Sequence, residues 1–404
     1  MKLIDGGVCA AKGFLASGIH CGIRKNKLKK DLALILSTAP CRAAAVYTQN
    51  LVKGAPLLVT EKNIKDGTAQ AIICNSGNAN TCNADGVGIA EKMCLALSEN
   101  SDISKTDIVV ASTGVIGQPL DIGPIKNAVP DLVSSLSETG SRDACAAIMT
   151  TDTKEKEIAV EFEIGGKLCH IGGIAKGSGM IHPNMATMLV FITSDVNISR
   201  DMLQKALSGD VKNTFNMLSI DGDTSTNDMA VILANGLCQN PEITEDGKDF
   251  DEFMKALNTV TVGLCRMIAA DGEGATKLLE CITEGAKTEL DAKKVAKSVI
   301  CSSLLKAAMF GADANWGRVL CAIGYSGANV DVNKIDVAFK SKAGTILVCK
   351  NGSGVDFSEE KAKEILLCDE IEILVNLNDG DFASTAWGCD LTYDYVKING
   401  DYRT

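Results

Sequence analysis

Short apolar runs alternate with longer amphipathic stretches along nearly the whole chain. A run rich in β-branched residues is typical of a buried strand, whereas apolar residues three and four apart are typical of a helix. The predicted strands cover Asp31–Ser37, Ala43–Thr48, Ala69–Cys74, Thr106–Ser112, Glu157–Ile164, Lys167–Ile171, residues 188–193, Met229–Ala234, Thr276–Thr283, Ile335–Phe339, Thr345–Cys349, Glu370–Leu377 and Leu391–Lys397. The predicted helices cover Asp85–Asn100, a short segment that starts at Ser141 or Asp143 and ends at Ala147, Ser199–Leu207, Asp249–Ala270, Asp291–Phe310, a helix opening at Asn315, and Ser358–Leu367.

Strands and helices alternate in both halves of the chain, and no repeat or low-complexity tract separates them. Gly165-Gly166 lies between two alternating segments, which predicts a β-hairpin there. This order of elements indicates an α/β or α+β fold.

The stretch from Lys176 to Asp195 combines a loop and a strand. Its first half is rich in Gly, Ser, Pro and Asn, which favour turns, and its second half is the apolar run Met-Leu-Val-Phe-Ile-Thr. Ala186-Thr187 stands at the junction of the two halves. Thr187 is therefore either an ordinary residue at a strand's start or a hydroxyl held on a rigid element.

Composition narrows the classes of protein that fit. The net charge of −11 argues against nonspecific nucleic-acid binding, which requires clustered Lys and Arg. The 404 residues include 16 Cys, scattered singly and without a Cys-x-x-Cys, which favours buried reduced thiols. The N-terminus lacks an apolar core of signal-peptide length, and no run approaches the ~18 apolar residues of a membrane span. We expect a soluble, cytoplasmic protein.

Histidine is scarce, and this limits the chemistry. Only His20, His170 and His182 are present, so a zinc site built on several His is disfavoured and no metal is expected. The chain also has no His-Glu-x-x-His, no Gly-x-Ser-x-Gly elbow and no P-loop motif. If the protein uses a nucleophile, we expect its base to be something other than histidine.

Several polar segments follow predicted strands or helices, where ligand contacts are common. Thr113 and Gly114 end one strand and could aim backbone N–H groups at a developing negative charge, as an oxyanion hole requires. The other segments are Asn75–Asn80, Met149–Thr153, Asp221–Asp228 and Asp271–Thr276. Each of them is also explained by a turn or a helix cap, and both interpretations stay open at this point.

A mid-chain threonine can become a nucleophile through cleavage of the preceding bond. The hydroxyl alone is weak, but an N-terminal Thr can use its own α-amine as base, and that amine has a reference pKa near 8. The flexible loop before Ala186 and the strand after Thr187 suit such a cut. An ordinary loop–strand junction remains the alternative.

The segment from Lys176 to Met188, Lys-Gly-Ser-Gly-Met-Ile-His-Pro-Asn-Met-Ala-Thr-Met, closely resembles the self-cleavage signature of the ornithine acetyltransferase (ArgJ) family of arginine biosynthesis. The resemblance extends over the whole chain. It includes Asn75–Asn80, Ser112–Gly117, Met149–Thr153, Asp271–Thr276, Asn315–Arg318 and Tyr402–Thr404. One departure is Ala314, where the family pattern suggests Pro.

The resemblance implies a self-processing fold like that of the N-terminal-nucleophile enzymes, with layered sheets flanked by helices. Cleavage between Ala186 and Thr187 would give an α chain, residues 1–186, and a β chain, residues 187–404. Thr187 would then be the acetyl-carrying nucleophile, and Thr113 and Gly114 the oxyanion hole. The residues implied to hold the substrate are Thr150, Lys176, Thr187, Glu273, Asn399 and Thr404.

The implied reaction moves the acetyl group from N2-acetylornithine to glutamate in two half-reactions. Acetyl-CoA is a second donor in some relatives, as a substrate and not as a bound cofactor, and the family suggests an α2β2 assembly. Two alternatives stay open. One is an N-terminal-nucleophile amidase or aminopeptidase, in which water replaces glutamate, and the other is an uncut binding protein in which Thr187 is a strand residue.

Overall fold

The computed structural model describes residues 1–182 and 188–400. The strands of these residues are β1 (Lys2–Ile4), β2 (Phe14–Ile19), β3 (Leu32–Tyr47), β4 (Thr68–Asn78), β5 (Ile108–Val115), β6 (Lys156–Ile164), β7 (Lys167–Lys176), β8 (Leu189–Ser194), β9 (Leu218–Ser219), β10 (Met229–Ala234), β11 (Leu278–Ala286), β12 (Asp336–Ser341), β13 (Gly344–Lys350), β14 (Ser353–Gly354), β15 (Glu370–Asn376) and β16 (Phe382–Cys389). The helices are α1 (Ala55–Asn63), α2 (Gly86–Ser98), α3 (Ile122–Ser134), α4 (Ser141–Ile148), α5 (Arg200–Val211), α6 (Lys248–Ala270), α7 (Glu289–Cys301), α8 (Ser303–Phe310), α9 (Trp316–Gly324), α10 (Glu359–Leu366) and α11 (Tyr393–Gly400).

The alternation of strands and helices confirms the predicted α/β character. The two compact units of the chain each contain one mixed sheet. The first unit comprises the described residues of Met1–Gly177, Asn184–Lys212 and Thr224–Leu264, and the second those of Ser178–Pro183, Asn213–Asp223 and Cys265–Thr404. Both units therefore draw residues from both sides of the Ala186-Thr187 bond.

The sheet of the first unit has the strand order β1-β6-β7-β8-β10-β3-β4-β5, with β2 paired to β3. The pairs β8/β10 and β4/β5 are parallel, and the predicted hairpin β6–β7 is antiparallel. Successive side chains of a strand point to opposite faces, so one strand can serve two cores. Leu32 and Leu34 of β3 pack with α2 and α3, whereas Ala33 and Ile35 pack with α4. Each fully buried Leu or Ile contributes roughly 1.5–3 kcal/mol.

The sheet of the second unit has the order β14-β13-β12-β15-β11-β16-β9. Its parallel pairs are β11/β15 and β16/β9, and its other pairs are antiparallel. Helix α7 packs against β11 and β16, and α10 packs against β12 and β13. Val295 and Val299 are fully buried and lie on the apolar face of α7, which is otherwise rich in Lys.

Four predicted elements differ from the structure. The segment Leu391–Lys397, predicted as a strand, contains the start of helix α11, where Thr392 Oγ1 accepts a hydrogen bond from Tyr395 N at 3.4 Å in the manner of an N-cap. The helix predicted over Asp291–Phe310 is divided into α7 and α8, because Ser302 is extended and its side chain caps α8 through Leu305 N. The strands predicted on either side of residues 38–42 are the single strand β3, which has an irregular register between Leu36 and Cys41.

Across residues 1–182 and 188–400, no helix combines the length and the apolar character needed to cross a bilayer.

Candidate active site

The oxyanion-type turn predicted from the sequence lies at the carboxyl ends of two parallel strands. Gly77 of β4 is paired with Gly114 of β5, and both glycines have positive φ, 96° and 130°. A Cβ added to Gly114 would lie only 2.6 Å from Asn78 N, so the two backbones approach more closely than any other residue allows. Thr113, one residue earlier, is buried. The geometry therefore explains why Gly follows Thr at this strand end.

Asn227 holds this strand end from the polar loop that precedes β10. Its Nδ2 donates to Ser112 O at 2.9 Å and to Ala79 O at 2.6 Å. Its Oδ1 accepts from Thr81 Oγ1 and from the neighbouring Thr226, both at 2.6 Å. All these groups are buried or nearly so, and a buried amide with all its hydrogen bonds formed gives one defined conformation.

The Asn75–Asn80 segment is a second set of side-chain braces. Asn75 Oδ1 accepts from Ser112 Oγ at 2.6 Å, and Asn75 Nδ2 donates to Asn78 O at 3.0 Å. Asn80 Nδ2 donates to Gly86 O at 2.8 Å, at the start of α2. The amide side chains therefore fix the backbone of a hydrogen-bonded turn beside Thr113.

Asp152 organises the end of β7, where Lys176 lies. Its Oδ1 accepts from Lys156 Nζ and from Gly177 N, both at 2.7 Å, and its Oδ2 accepts from Thr150 N at 2.9 Å. Asp152 and Lys156 are both almost fully buried. Burial alone would raise the pKa of the Asp152 carboxyl, but the ammonium groups of Lys156 and Lys176, with these hydrogen bonds, lower it to about 2. Asp152 is therefore an ionised anchor for Thr150 and Gly177.

Asp228 is a buried carboxyl with a different environment. It immediately precedes β10. The next residue, Met229, donates its backbone N–H to Met188 O at 2.9 Å, and Met188 is the first described residue after residue 187. Among the described residues, Asp228 Oδ2 has no hydrogen-bond partner. Burial raises the pKa of Asp228 well above its usual range, and hydrogen bonds from Ser225 and the charge of Lys176 offset only part of this. Burial therefore favours the protonated form of this carboxyl relative to that of an exposed aspartate.

Glu273 and Asn399 meet in the second unit. Asn399 Nδ2 donates to Glu273 Oε2 at 2.8 Å, and Glu273 N donates to Ser178 O at 2.7 Å. A Cβ added to Gly179 would overlap the Glu273 carboxylate, so glycine is required for this close approach. Glu273 is 7% exposed, whereas Asn399 is exposed. The structure thus brings together two sequence-predicted residues that are far apart in the chain.

Asp221 ties the residues after Gly179 to α11 of the same unit. Its carboxylate accepts from Met180 N at 2.6 Å and Ile181 N at 2.9 Å, and Tyr395 Oη donates to it at 3.3 Å. Burial and the charges of Asp221 and Glu273 raise the pKa of Tyr395. Burial, together with the charge of Lys297, lowers the pKa of His182 to about 4, so its ring is neutral at neutral pH.

The placement of the predicted site residues is as follows. Thr113 and Gly114 share one strand end, Thr150 and Lys176 share the environment of Asp152, and Glu273 and Asn399 are hydrogen-bonded. Ala186, Thr187 and Thr404 lie outside the described residues. Sequence reasoning had placed Asp152, Asn227 and Asp228 only within candidate polar segments, and it had not selected Lys156 or Tyr395. Two of these residues, Asp152 and Lys156, could have been found from the sequence, because they are oppositely charged, four residues apart, and lie just before and at the start of β6.

The fold is α/β, and its buried charged groups lie beside the glycine turn at the ends of β4 and β5 and at the end of β7. Comparison with known proteins gives the family. The ArgJ family model matches residues 15–404. The chain is 50% identical to the arginine biosynthesis bifunctional protein ArgJ of Caldanaerobacter subterraneus subsp. tengcongensis over all of both chains, and 51% identical to ArgJ 1 of Clostridium acetobutylicum over 97% of this chain and 96% of that one.

A solved structure agrees. The crystal structure of ArgJ from Bacillus halodurans is 48% identical with a TM-score of 0.50, and the match covers 52% of this chain and 97% of that one. The chain belongs to the ArgJ family, and it is accordingly an acetyltransferase of arginine biosynthesis. The resemblance seen in the sequence is confirmed.

Proposed function

We propose that this enzyme transfers the acetyl group of N2-acetylornithine to glutamate through an acetyl ester on Thr187. In the first half-reaction the Thr187 hydroxyl attacks the acetyl carbon, the C–N bond breaks, and the proton goes to ornithine as it leaves. In the second, the glutamate amine attacks the ester, the C–O bond breaks, and Thr187 regains its proton as N-acetylglutamate leaves. The α-amine of Thr187 is the base that moves these protons.

The amine becomes available by self-cleavage. The Thr187 hydroxyl attacks the Ala186 carbonyl carbon and displaces the amide nitrogen to form an ester, which water then hydrolyses. The products are an α chain ending at Ala186 and a β chain beginning at Thr187. An N-terminal amine with a pKa near 8 is suited to accept a proton at neutral pH.

The observation that carries this proposal is that both flanks of the 177–187 stretch are anchored in one sheet. Lys176, the last residue of β7, is paired with Leu189, the first residue of β8, and Leu189 is paired with Met229 of β10. The two flanks are thus held by antiparallel and parallel ladders that do not depend on the Ala186-Thr187 bond. A cut there leaves each new chain attached to the sheet, because β7 stays paired with β8.

The charged residues suit the substrates. Both acetylornithine and glutamate carry an α-carboxylate, which the Lys176 ammonium can bind, with Thr150 beside it. Glu273 and Asn399 can bind the substrate's amino group through a carboxylate and an amide oxygen. In this proposal the N–H groups near Thr113 and Gly114 stabilise the tetrahedral oxyanion, a contribution that is typically ~3–4 kcal/mol for one donor. Thr404 would complete substrate binding.

The length of the chain in the solved structure of a relative supports cleavage of the Ala186-Thr187 bond. The Bacillus halodurans ArgJ chain is almost fully covered by the match, yet it covers only 52% of this chain. A β chain beginning at Thr187 would be just over half of the 404 residues. We extend the proposal to an α2β2 assembly of cleaved chains in the cytoplasm, and to acetyl-CoA as a second donor. No bound cofactor or metal is part of this mechanism.

The test compares Thr187→Ala with Thr187→Ser. The alanine variant has no hydroxyl, so it should remain one band on a denaturing gel and show no acetyl transfer. The serine variant keeps a hydroxyl and should yield two bands and retain activity. Transfer by the alanine variant would rule out Thr187 as nucleophile. Release of ornithine at the same rate with and without glutamate would favour the amidase alternative.

A further inference from the structure

Two cysteines face each other in the first unit, away from the residues assigned to the active site. Cys169 lies on β7 and Cys238 follows β10, and their Sγ atoms are 2.7 Å apart. This separation is only about 0.7 Å longer than a disulfide bond. Both side chains are buried, Cys169 completely. Within the described residues every cysteine is a free thiol. The close approach of these two sulfurs differs from the singly scattered thiols that the sequence suggests.

Asp195 holds the two cysteines in this position. Its backbone N donates to His170 O at 3.2 Å, next to Cys169, and its backbone O accepts from Cys238 N at 2.8 Å. Its carboxylate also accepts from His170 N at 2.7 Å and from His170 Nδ1 at 2.8 Å. One residue at the end of β8 therefore fixes the backbone on both sides of the thiol pair.

We propose that Cys169 and Cys238 are a redox pair that closes to a disulfide when the enzyme meets a peroxide. In the first step one thiolate attacks a peroxide oxygen, the O–O bond breaks, and a sulfenic acid and water form. In the second, the other thiol attacks the sulfenic sulfur, the S–S bond forms, the S–O bond breaks, and the thiol proton leaves with the hydroxide as a second water. Two thiols and one hydrogen peroxide thus give one disulfide and two waters.

The titration of the pair is consistent with this chemistry. Hydrogen bonding between the two sulfurs lowers the pKa of Cys238 and, with burial, raises that of Cys169. Cys169 is therefore the thiol that keeps its proton, and Cys238 is the one that ionises first. The thiolate is the reactive form, so Cys238 makes the first attack.

A metal ion fits this cluster less well. Cys169, Cys238 and Asp195 offer ligand atoms within 4.8 Å of one another. Two thiolates on one tetrahedral zinc would lie about 3.8 Å apart, given Zn–S bonds of ~2.3 Å, so the sulfurs would have to separate. The Asp195 carboxylate is also occupied, because it accepts from His170 and from Lys12 N at 3.2 Å.

The effect of this disulfide on the enzyme rests on the proposed function, in which the chain is cleaved between Ala186 and Thr187. Cys169 precedes the Ala186-Thr187 bond and Cys238 follows it. In the cleaved enzyme, the disulfide would be a covalent link between the α and β chains. Oxidation would then prevent the two chains from separating, and a reductant would restore the cleaved, unlinked form.

The experiment treats the purified full-length gene product with hydrogen peroxide, blocks the remaining thiols with iodoacetamide in denaturant, and analyses it by non-reducing gel and peptide mass spectrometry. We expect one cross-linked peptide that contains Cys169 and Cys238, and conversion of the two-chain pattern into a single band of precursor size. Dithiothreitol should reverse both changes. Cys238→Ala should lose the cross-link, whereas Cys321→Ala, at an exposed cysteine, should keep it.

The two readouts separate this proposal from the proposed function. If the chain is never cut, the gel shows one band throughout, but the Cys169–Cys238 peptide still forms. The redox proposal is overturned if both cysteines are alkylated after oxidation. Zinc that co-purifies at one ion per chain and is lost in Cys238→Ala would also overturn it, in favour of a metal site.

Discussion

Two buried carboxyl groups of the same unit, Asp152 and Asp228, have pKa values that are shifted in opposite directions. Asp152 accepts hydrogen bonds from Lys156, Gly177 and Thr150, and its pKa is lowered to about 2. Asp228 is equally buried, but one of its oxygens is without a partner among the described residues, and its pKa is raised. The charge of Lys176 acts on both. The difference shows that the neighbouring donors, rather than burial, determine whether a buried carboxyl is ionised.

The two groups consequently suit different tasks. The ionised Asp152 fixes the backbone at Thr150 and at Gly177, which directly follows the predicted substrate-binding residue Lys176. Asp228, when protonated, can donate a hydrogen bond near the start of β8, where the proposed β chain begins. Neither role is apparent from residue type, since both are aspartates in polar segments of the sequence.

The largest expected effect comes from removing the partner of Asp152. Lys156→Met leaves a buried carboxylate without its ammonium, so we expect the free energy of unfolding to fall by roughly 3–5 kcal/mol. Urea unfolding at pH 7 measures this change. Lys167→Met, at an exposed position, should change stability by less than about 0.5 kcal/mol. A loss no larger than in this control would show that the ion pair does not hold the site together.

Replacing the ionised carboxylate itself should have a smaller effect. Asp152→Asn keeps an oxygen for Gly177 N but weakens the hydrogen bond to the Lys156 ammonium, at a cost of ~2–3 kcal/mol. The double variant Asp152→Asn with Lys156→Met should lose less than the sum of the two single losses, because the residues are in contact. Glu155→Gln is the exposed control. Additive losses would contradict the pairing.

The contribution of Asp228 to stability should change with pH in the opposite direction to that of Asp152. A raised folded pKa means that Asp228 contributes stability below the unfolded pKa of about 3.9 and loses it as pH rises. Asp228→Asn has no such loss, so its stability relative to the wild type should increase as pH rises above about 4. For Asp152 the contribution is present above about pH 4 and is lost as pH falls through about 2.

Unfolding midpoints between pH 4 and pH 7 measure the Asp228 effect. The advantage of Asp228→Asn should increase with pH, whereas Asp223→Asn, at an exposed position, should follow the wild type. A variant that becomes less stable relative to the wild type as pH rises would mean that Asp228 is ionised in the folded protein.

The sequence predicts the strand and helix alternation because periodicity reflects burial, which is a local property. It also predicts Thr113-Gly114 as a functional turn, since Gly at a strand end has a specific backbone use. It misses α11, because Tyr393 and Val396 are exposed apolar residues that resemble a strand. It does not distinguish Asp152 from Asp228, because only part of the set of donors around each carboxyl is close to it in the chain. Lys156 is four residues from Asp152, but Gly177 is 25 residues away.

The most direct test of the account is to trap the acetyl group on the enzyme. Purified protein is incubated with N2-acetylornithine in the absence of glutamate, quenched in acid and analysed by intact mass and peptide sequencing. The account predicts a fragment whose first residue is Thr187, heavier by one acetyl group, and loss of that acetyl group when glutamate is added. An uncut chain, or an acetyl group on any other residue, would contradict it.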